Sequence, residues 1–382
     1  MSVHTRRKSL VTALLAASCG LPLLSAPASA APVFTVSFDD PSGTFSSYYA
    51  QISAHVLAAG AKWSSFFGGQ PVSIDLLVRF NPLLPTLTAN SVTSSFVTTS
   101  GPFDVFQEGA AFELRTGIDP NGSAADGIIT LGTAYLINEL WFDPNPVART
   151  APVPVGLTDA QSAFIHELGH ILGFSGFLNQ VNGQPPANND ISAFDQYVTF
   201  NGSDLFFHGP RAVAIYGGPV PLTSGNYIHV GNNFPRPGSD LIPDLMNGIV
   251  FFRGSRYYVS TLDIAILADT GVPALDTDGD GVLNPFDNCA MVINPTQLDA
   301  DQDGYGNLCD ADLNNSGTVT TADFGLLRSV LNQAAGSSAT AAAADLNGSG
   351  TVTTADFAIL RPRLNAPPGP SGLACAGTVP CP

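Results

Sequence analysis

Two histidines four residues apart, with a glutamate beside the first, stand in the stretch HELGH at positions 166–170. On a helix of 3.6 residues per turn, His166 and His170 lie one above the other on one face. Both rings can then turn a nitrogen toward one zinc ion about 2.0–2.1 Å away. Glu167 sits about 100° around the helix from His166, where it can reach a water on the metal without binding the metal itself. Zinc lowers the pKa of such a water to about 7, and Glu167 as general base would take its proton and pass it to a leaving amine. The chemistry this spacing predicts is metal-assisted hydrolysis of a peptide bond.

Catalytic zinc normally takes three protein ligands and keeps a fourth position open. No glutamate follows Glu167, so a later glutamate cannot complete the set. A ligand at short spacing would fall at position 176, which is Gly176. Only two histidines remain downstream, His208 in LFFHGPRAVAIYGG and His229 in GNYIHVGNNF, and the residues alone leave both open. His208 follows Phe206 and Phe207 on an apolar run, which suits a structural histidine on a strand. His55, beside alanine and valine in a helical stretch, also suits a structural role, and Asp195 in SAFDQYV suits calcium binding or a turn cap.

These residues need elements to hold them. TDAQSAFIHELGHILG reads as a helix, with Thr158 and Gln161 as a capping box and Gly173 as terminator. Strand patterns in VFTVSF and VSIDLLVRF flank a helical run, SSYYAQISAHVLAAGAKWSSFF, and a β-α-β start of this kind predicts a twisted sheet with a helix packed on it. Further strands are expected near GIITLG and AYLINELWF. Residues 175–250 are rich in glycine, proline and asparagine, and a loop region of that length tends to be functional. STLDIAILADTG reads as a last helix, begun at Ser260 or Thr261 and ended at Gly271. Residues 31–273 are therefore expected to form one mixed α/β (α+β) domain, and without cysteine between Ala31 and Asn288 it must be held by apolar burial.

HELGHILGF, a long insertion, a lone histidine in a Gly/Asn loop and then DLMNG together resemble the leishmanolysin-like branch of the metzincin zinc peptidases. The resemblance covers roughly residues 160–270. It implies zinc ligands His166, His170 and His229, general base Glu167, and Met246 as the methionine beneath the metal, with His208 the runner-up for the third ligand. It also implies a metzincin-like fold and a zinc endopeptidase acting on a protein or peptide substrate. The stretch from His229 to Met246 is longer than the family pattern. The rival reading is a non-catalytic, calcium-dependent extracellular binding or adhesion protein. Glu167 beside both histidines favours the enzyme, because a binding module has no need of that base.

Residues 1–30 read as an export signal, with Arg6, Arg7 and Lys8, an apolar stretch, and Ala28-Ser29-Ala30 as cleavage site. No later run is long and apolar enough to span a membrane. The chain is therefore expected outside the cytoplasm: extracellular, periplasmic or on a cell surface. Export permits disulfides. Four cysteines remain after cleavage; their order suggests Cys289 with Cys309 and Cys375 with Cys381, although three connectivities are possible.

The net charge of −17 is concentrated between Asp276 and Asp312, where no lysine or arginine occurs, and an acidic surface speaks against a nucleic-acid partner. DTDGDGVLNPFDNC and LDADQDGYGNLCD, over residues 274–310, resemble a thrombospondin type 3 repeat. Alternation at Asp276, Asp278, Asp280 and at Asp299, Asp301, Asp303 offers hard oxygen ligands to calcium. An internal repeat follows, DLNNSGTVTTADF and DLNGSGTVTTADF. Calcium-loop positions fall on Asp312, Asn314, Ser316, Thr318 and Asp323, and on Asp345, Asn347, Ser349, Thr351 and Asp356, with Gly317 and Gly350 at the sharp turn. Residues 311–366 thus resemble a type I dockerin module, which implies a cohesin partner. Two carboxylates per loop predict weaker calcium binding than in acid-rich loops. Pro362 should end the second helix early, and residues 367–382 form a tail with a small disulfide loop.

Overall fold

Phe34, Val36 and Phe38 alternate with polar residues along β1 (Val33–Asp39), and Ile74, Leu76 and Val78 alternate with more exposed residues along β2 (Ser73–Asn81), so each strand turns one face inward. Between them α1 (Tyr49–Ser64) buries Ile52, Val56, Ala59 and Trp63, three or four residues apart, and the crossover leaves β1 and β2 parallel with Val33 opposite Ser73. This computed structural model describes residues 32–381; the expected export signal over 1–30 lies outside them.

β3 (Leu87–Ser91) leads into a hairpin of β4 (Ser94–Ser100) and β5 (Phe103–Glu108), then α2 (Gly109–Thr116), before the chain re-enters the sheet as β6 (Gly127–Gly132). The sheet order is β1-β2-β6-β3, with β3 antiparallel to β6 at the edge. LTANS and SSFVTTS contain too few apolar residues to announce themselves as alternating strands.

Two elements differ from the sequence expectation. AYLINELWF is a short helix, α3 (Thr133–Asn138), followed by a two-residue strand, β7 (Leu140–Trp141). Gly132 lies so close to the carbonyls of Leu84 and Thr86 that a Cβ would stand 2.2 Å from the first, and there the strand ends. The buried residues beyond it, Tyr135, Leu136 and Leu140, follow no period of two. β8 (Thr158–Asp159) pairs with β7, so the following helix, α4 (Ala160–Leu172), starts one residue later than the capping-box reading placed it. Its cap is Asp159, whose carboxylate accepts from the Ser162 amide at 3.1 Å and from Arg149.

Every residue of α4 is buried. Trp63 from α1 donates its indole N–H to the Ile165 carbonyl at 2.8 Å, fixing the two helices together. The glycine-rich stretch from 175 to 250 carries short pieces: β9 (Asp190–Ser192), β10 (Val198–Phe200), β11 (Leu205–Phe207), α5 (Pro210–Tyr216) and β12 (Val220–Pro221). α6 (Thr261–Asp269) closes this half, with Ser260 and Asp263 forming a reciprocal capping box.

The C-terminal part has its own apolar cluster, formed by Val319, Leu327, Ala344, Leu346, Val352 and Leu360. It draws on α7 (Thr321–Ser329), α8 (Ala339–Ala344) and α9 (Thr354–Leu360); α9 ends just before Arg361-Pro362. Cys289 is joined to Cys309 and Cys375 to Cys381. The architecture is mixed α/β with several small sheets. No helix among the described residues is long and apolar enough to cross a membrane.

Candidate metal centre

α4 presents His166 and His170 on one face, and the loop after β12 brings His229 to them. Their Nε2 atoms stand 3.1 Å (166–170), 3.2 Å (166–229) and 3.0 Å (170–229) apart. Each Nδ1 faces a backbone carbonyl: Leu245 at 2.7 Å, Phe174 at 2.7 Å and Asn226 at 3.3 Å, respectively. A ring that donates its Nδ1–H to a carbonyl has a bare lone pair on Nε2. Burial also opposes protonation, pushing His166 down to about 3, His170 to about 4 and His229 well below the ordinary histidine range.

Three lone pairs therefore face one another across about 3 Å, an arrangement that repels unless a cation sits among them. Tetrahedral zinc at 2.0–2.1 Å from each nitrogen sets neighbouring nitrogens about 3.3 Å apart. The donor set fits such an ion. Carbonyl partners on the second ring nitrogen are also what metal-bound histidines commonly have.

Gly176 explains how His229 reaches this place. A Cβ there would lie 2.0 Å from the Tyr227 hydroxyl and 2.4 Å from Asp195. The absent side chain makes room for Tyr227, which donates to the Asp195 carboxylate at 2.7 Å and accepts from the Leu178 amide at 2.8 Å. Asp195 also accepts from the amides of Phe177 and Ser192. It acts as a turn cap, anchoring the segment two residues before His229.

Met246 lies under the helix. Its sulfur fills the space beside Gly169, where a Cβ would approach to 2.7 Å. The Met246 carbonyl accepts from the Val230 amide at 3.0 Å, so one hydrogen bond closes the long interval between His229 and the methionine. His208 is elsewhere: its Nε2 lies 2.7 Å from the Thr199 hydroxyl, beside β10 and β11. His55 is buried in α1, with Nδ1 against the Gln51 carbonyl.

Glu167 is buried in the wall of the cleft that the three histidines line, and its Oε2 has no hydrogen-bond partner. Burial raises its pKa to about 8, opposed by the Ala89 backbone. The cleft encloses about 670 Å³ and is bounded by edge strand β3, Tyr135, Ile228 and Phe251.

In the acidic region Asp276, Asp278 and Asp280 cluster, as do Asp299, Asp301 and Asp303. The two repeated loops fold alike. Asp312 accepts from the Ser316 and Gly317 amides, and Asp345 from those of Ser349 and Gly350. Asp323 and Asp356 accept from Asn314 and Asn347, and each also closes a capping box with Thr320 or Thr353. Ser316 and Ser349 donate to the carbonyls of Thr318 and Thr351, both at 3.1 Å.

A further carboxylate cluster, which sequence reading missed, joins Glu113, Asp119 and Asp126. Its members are spread over a helix, a loop and a strand entry, so no short motif marks them.

Residues 310–365 match the Dockerin type I domain. That match supports calcium binding and an extracellular role in protein–protein assembly for this part of the chain. No curated protein matches the sequence.

Proposed function

We propose that the chain is an extracellular zinc-dependent endopeptidase, similar to the leishmanolysin-like metzincins, carrying calcium-binding modules at its C-terminal side. The observation that supports this reading is the convergence of three Nε2 lone pairs within 3.2 Å in the cleft that holds Glu167. When bound there, zinc would act as a Lewis acid and make water a competent nucleophile at neutral pH. The charge of bound zinc would favour the ionised form of Glu167 against the burial that raises its pKa, and its unpartnered, buried carboxylate oxygen would then take a proton from water and return it to the departing amine. β3 forms the edge of its sheet beside the cleft, so an extended substrate can add along that edge and lie across Glu167. The acidic segment would serve as a thrombospondin type 3-like calcium-binding spacer, and the dockerin module as the attachment point for a cohesin-type partner.

The test is cleavage of a denatured protein substrate by the mature chain, wild type beside Glu167→Ala, with zinc measured in both. We expect turnover to fall at least about 100-fold in the variant with zinc retained. A second reading, a calcium-dependent extracellular binding protein without catalysis, is favoured by the dockerin match. Folded, zinc-loaded wild type that cleaves nothing, yet binds a cohesin when calcium is present, would decide for it.

A further inference from the structure

Away from the histidines, Glu113 near the end of α2, Asp119 in the following loop and Asp126 at the entry to β6 each bring a carboxylate oxygen within 4.8 Å of the others. Three such groups repel when ionised: burial, and then the charges of Asp126 and Asp119, push Glu113 up to about 7. Glu113 is only 6 % exposed, and its Oε2 is buried without any hydrogen-bond partner. Asn121 hydrogen-bonds the Asp126 carboxylate and gives amide N–H groups to the carbonyls of Ala124 and Ala125, which closes the loop beside Asp126. A buried, unsatisfied oxygen such as Glu113 Oε2 is costly unless a cation or proton meets it.

The surroundings hold the oxygens in place. Asp119 accepts from the amides of Asn121 and Gly122 at 2.9 and 2.7 Å, which folds the loop back on itself. Asp126 accepts from the Asp75 amide at 2.7 Å and returns its own amide to the Asp75 carbonyl at 2.7 Å, locking it to β2.

We propose that Glu113, Asp119 and Asp126 form a calcium site that ties the loop between α2 and β6 to the sheet. An all-oxygen set of three carboxylates suits a hard cation, and calcium tolerates the irregular geometry, with water completing its 6–8 ligands. The site has a consequence for the cleft. The Asp126 carbonyl accepts from the Val92 amide at 2.9 Å and from the Ser91 hydroxyl at 3.3 Å, so the ion braces the end of edge strand β3. Calcium here would stiffen the strand beside Glu167 without touching the reacting groups. The proposal is independent of whether the histidine site is catalytic.

The alternative is a proton shared between Glu113 and Asp126. Calcium per chain, measured on the full mature protein by equilibrium dialysis at millimolar calcium with zinc held constant, separates the two. Asp119→Asn changes an exposed side chain while keeping the Oδ1 that accepts from Asn121 and Gly122, and Glu113→Gln removes the buried carboxylate. Each variant should bind one calcium fewer than wild type. Calcium should also slow hydrogen exchange over residues 117–126 and 87–92 in wild type but not in Asp119→Asn. Equal calcium in wild type and a folded Asp119→Asn, with no calcium effect on exchange in these segments, would overturn the proposal in favour of the shared proton.

Discussion

At the scale of single residues, each of the three histidines contributes one of three lone pairs with a fixed direction. Removing His229 leaves two nitrogens on one helix, a pair that holds zinc far less tightly than three. We expect one zinc per mature chain in wild type, none retained by His229→Ala after dialysis, and one retained by His208→Ala, whose ring is engaged with Thr199. Zinc kept by His229→Ala and lost by His208→Ala would refute the assignment. A second residue-level prediction concerns Glu108, buried at the junction of β5 and α2. Burial first, and then the charge of Asp195, raise its pKa from 4.5 to about 7, against the opposing pull of the Ser175 hydroxyl. Between those values the folded chain holds a proton that the unfolded chain releases. Its contribution is therefore fully present below the unfolded value, declines as pH rises, and is lost above the folded one. Glu108→Gln should flatten this decline and be more stable than wild type at about pH 8, by on the order of 2–3 kcal/mol. Urea midpoints at about pH 5 and pH 8 check it; parallel changes in the two proteins would mean that Glu108 is ionised in the fold.

At the scale of elements, the question is how a helix with two of the three histidines brings in the third from so far along the chain. The answer runs through Gly176, Asp195 and Tyr227: a missing side chain admits a tyrosine, whose hydroxyl is held by a buried carboxylate two residues before His229. Tyr227→Phe leaves Asp195 short of one donor and the Leu178 amide short of its acceptor. We expect a loss of about 1–3 kcal/mol in stability. Zinc release should also be faster than wild type, read as transfer to a colorimetric chelator; unchanged release would mean that His229 is positioned by the 222–231 loop alone. This device also marks the limit of legibility. The helix is readable because His166, Glu167 and His170 fall within about one turn of 3.6 residues, and β1, α1 and β2 because their apolar residues alternate or recur. The polar strand β3 and the α3 helix are not. The first has little apolar pattern, and the second exists because Gly132 ends a strand against two carbonyls. Glycine at 176 reads in sequence as the absence of a ligand, and only tertiary packing shows it as the space for Tyr227.

At the scale of the whole molecule, the acidic segment, the repeated loops and the tail are tied to one another. Asn307 donates to the carbonyls of Ala342 and Asp345, and Arg363 to that of Leu308. The tail returns to the acidic segment, with the Gly369 amide on Cys309, Gly377 on Asp303 and Cys381 on Gln302. The carboxylates at Asp299, Asp301, Asp303, Asp310 and Asp312 lie near one another; burial and their mutual repulsion hold Asp303 up at about 6 and Asp310 at about 8. Calcium is the natural counter-charge for such a group, and without it repulsion works against every one of these ties. We therefore expect residues 276–381 to loosen together when calcium is dialysed away with zinc held constant, and not module by module. Hydrogen exchange should rise across that whole range, while residues 33–273, held by their own apolar core, stay protected outside the 117–126 loop and the end of β3. Each repeated loop offers only two carboxylates, so the transition should need more calcium than an acid-rich loop requires. Loosening confined to residues 311–366 would show that the acidic segment stands without calcium, and that the ties between the modules do not couple them.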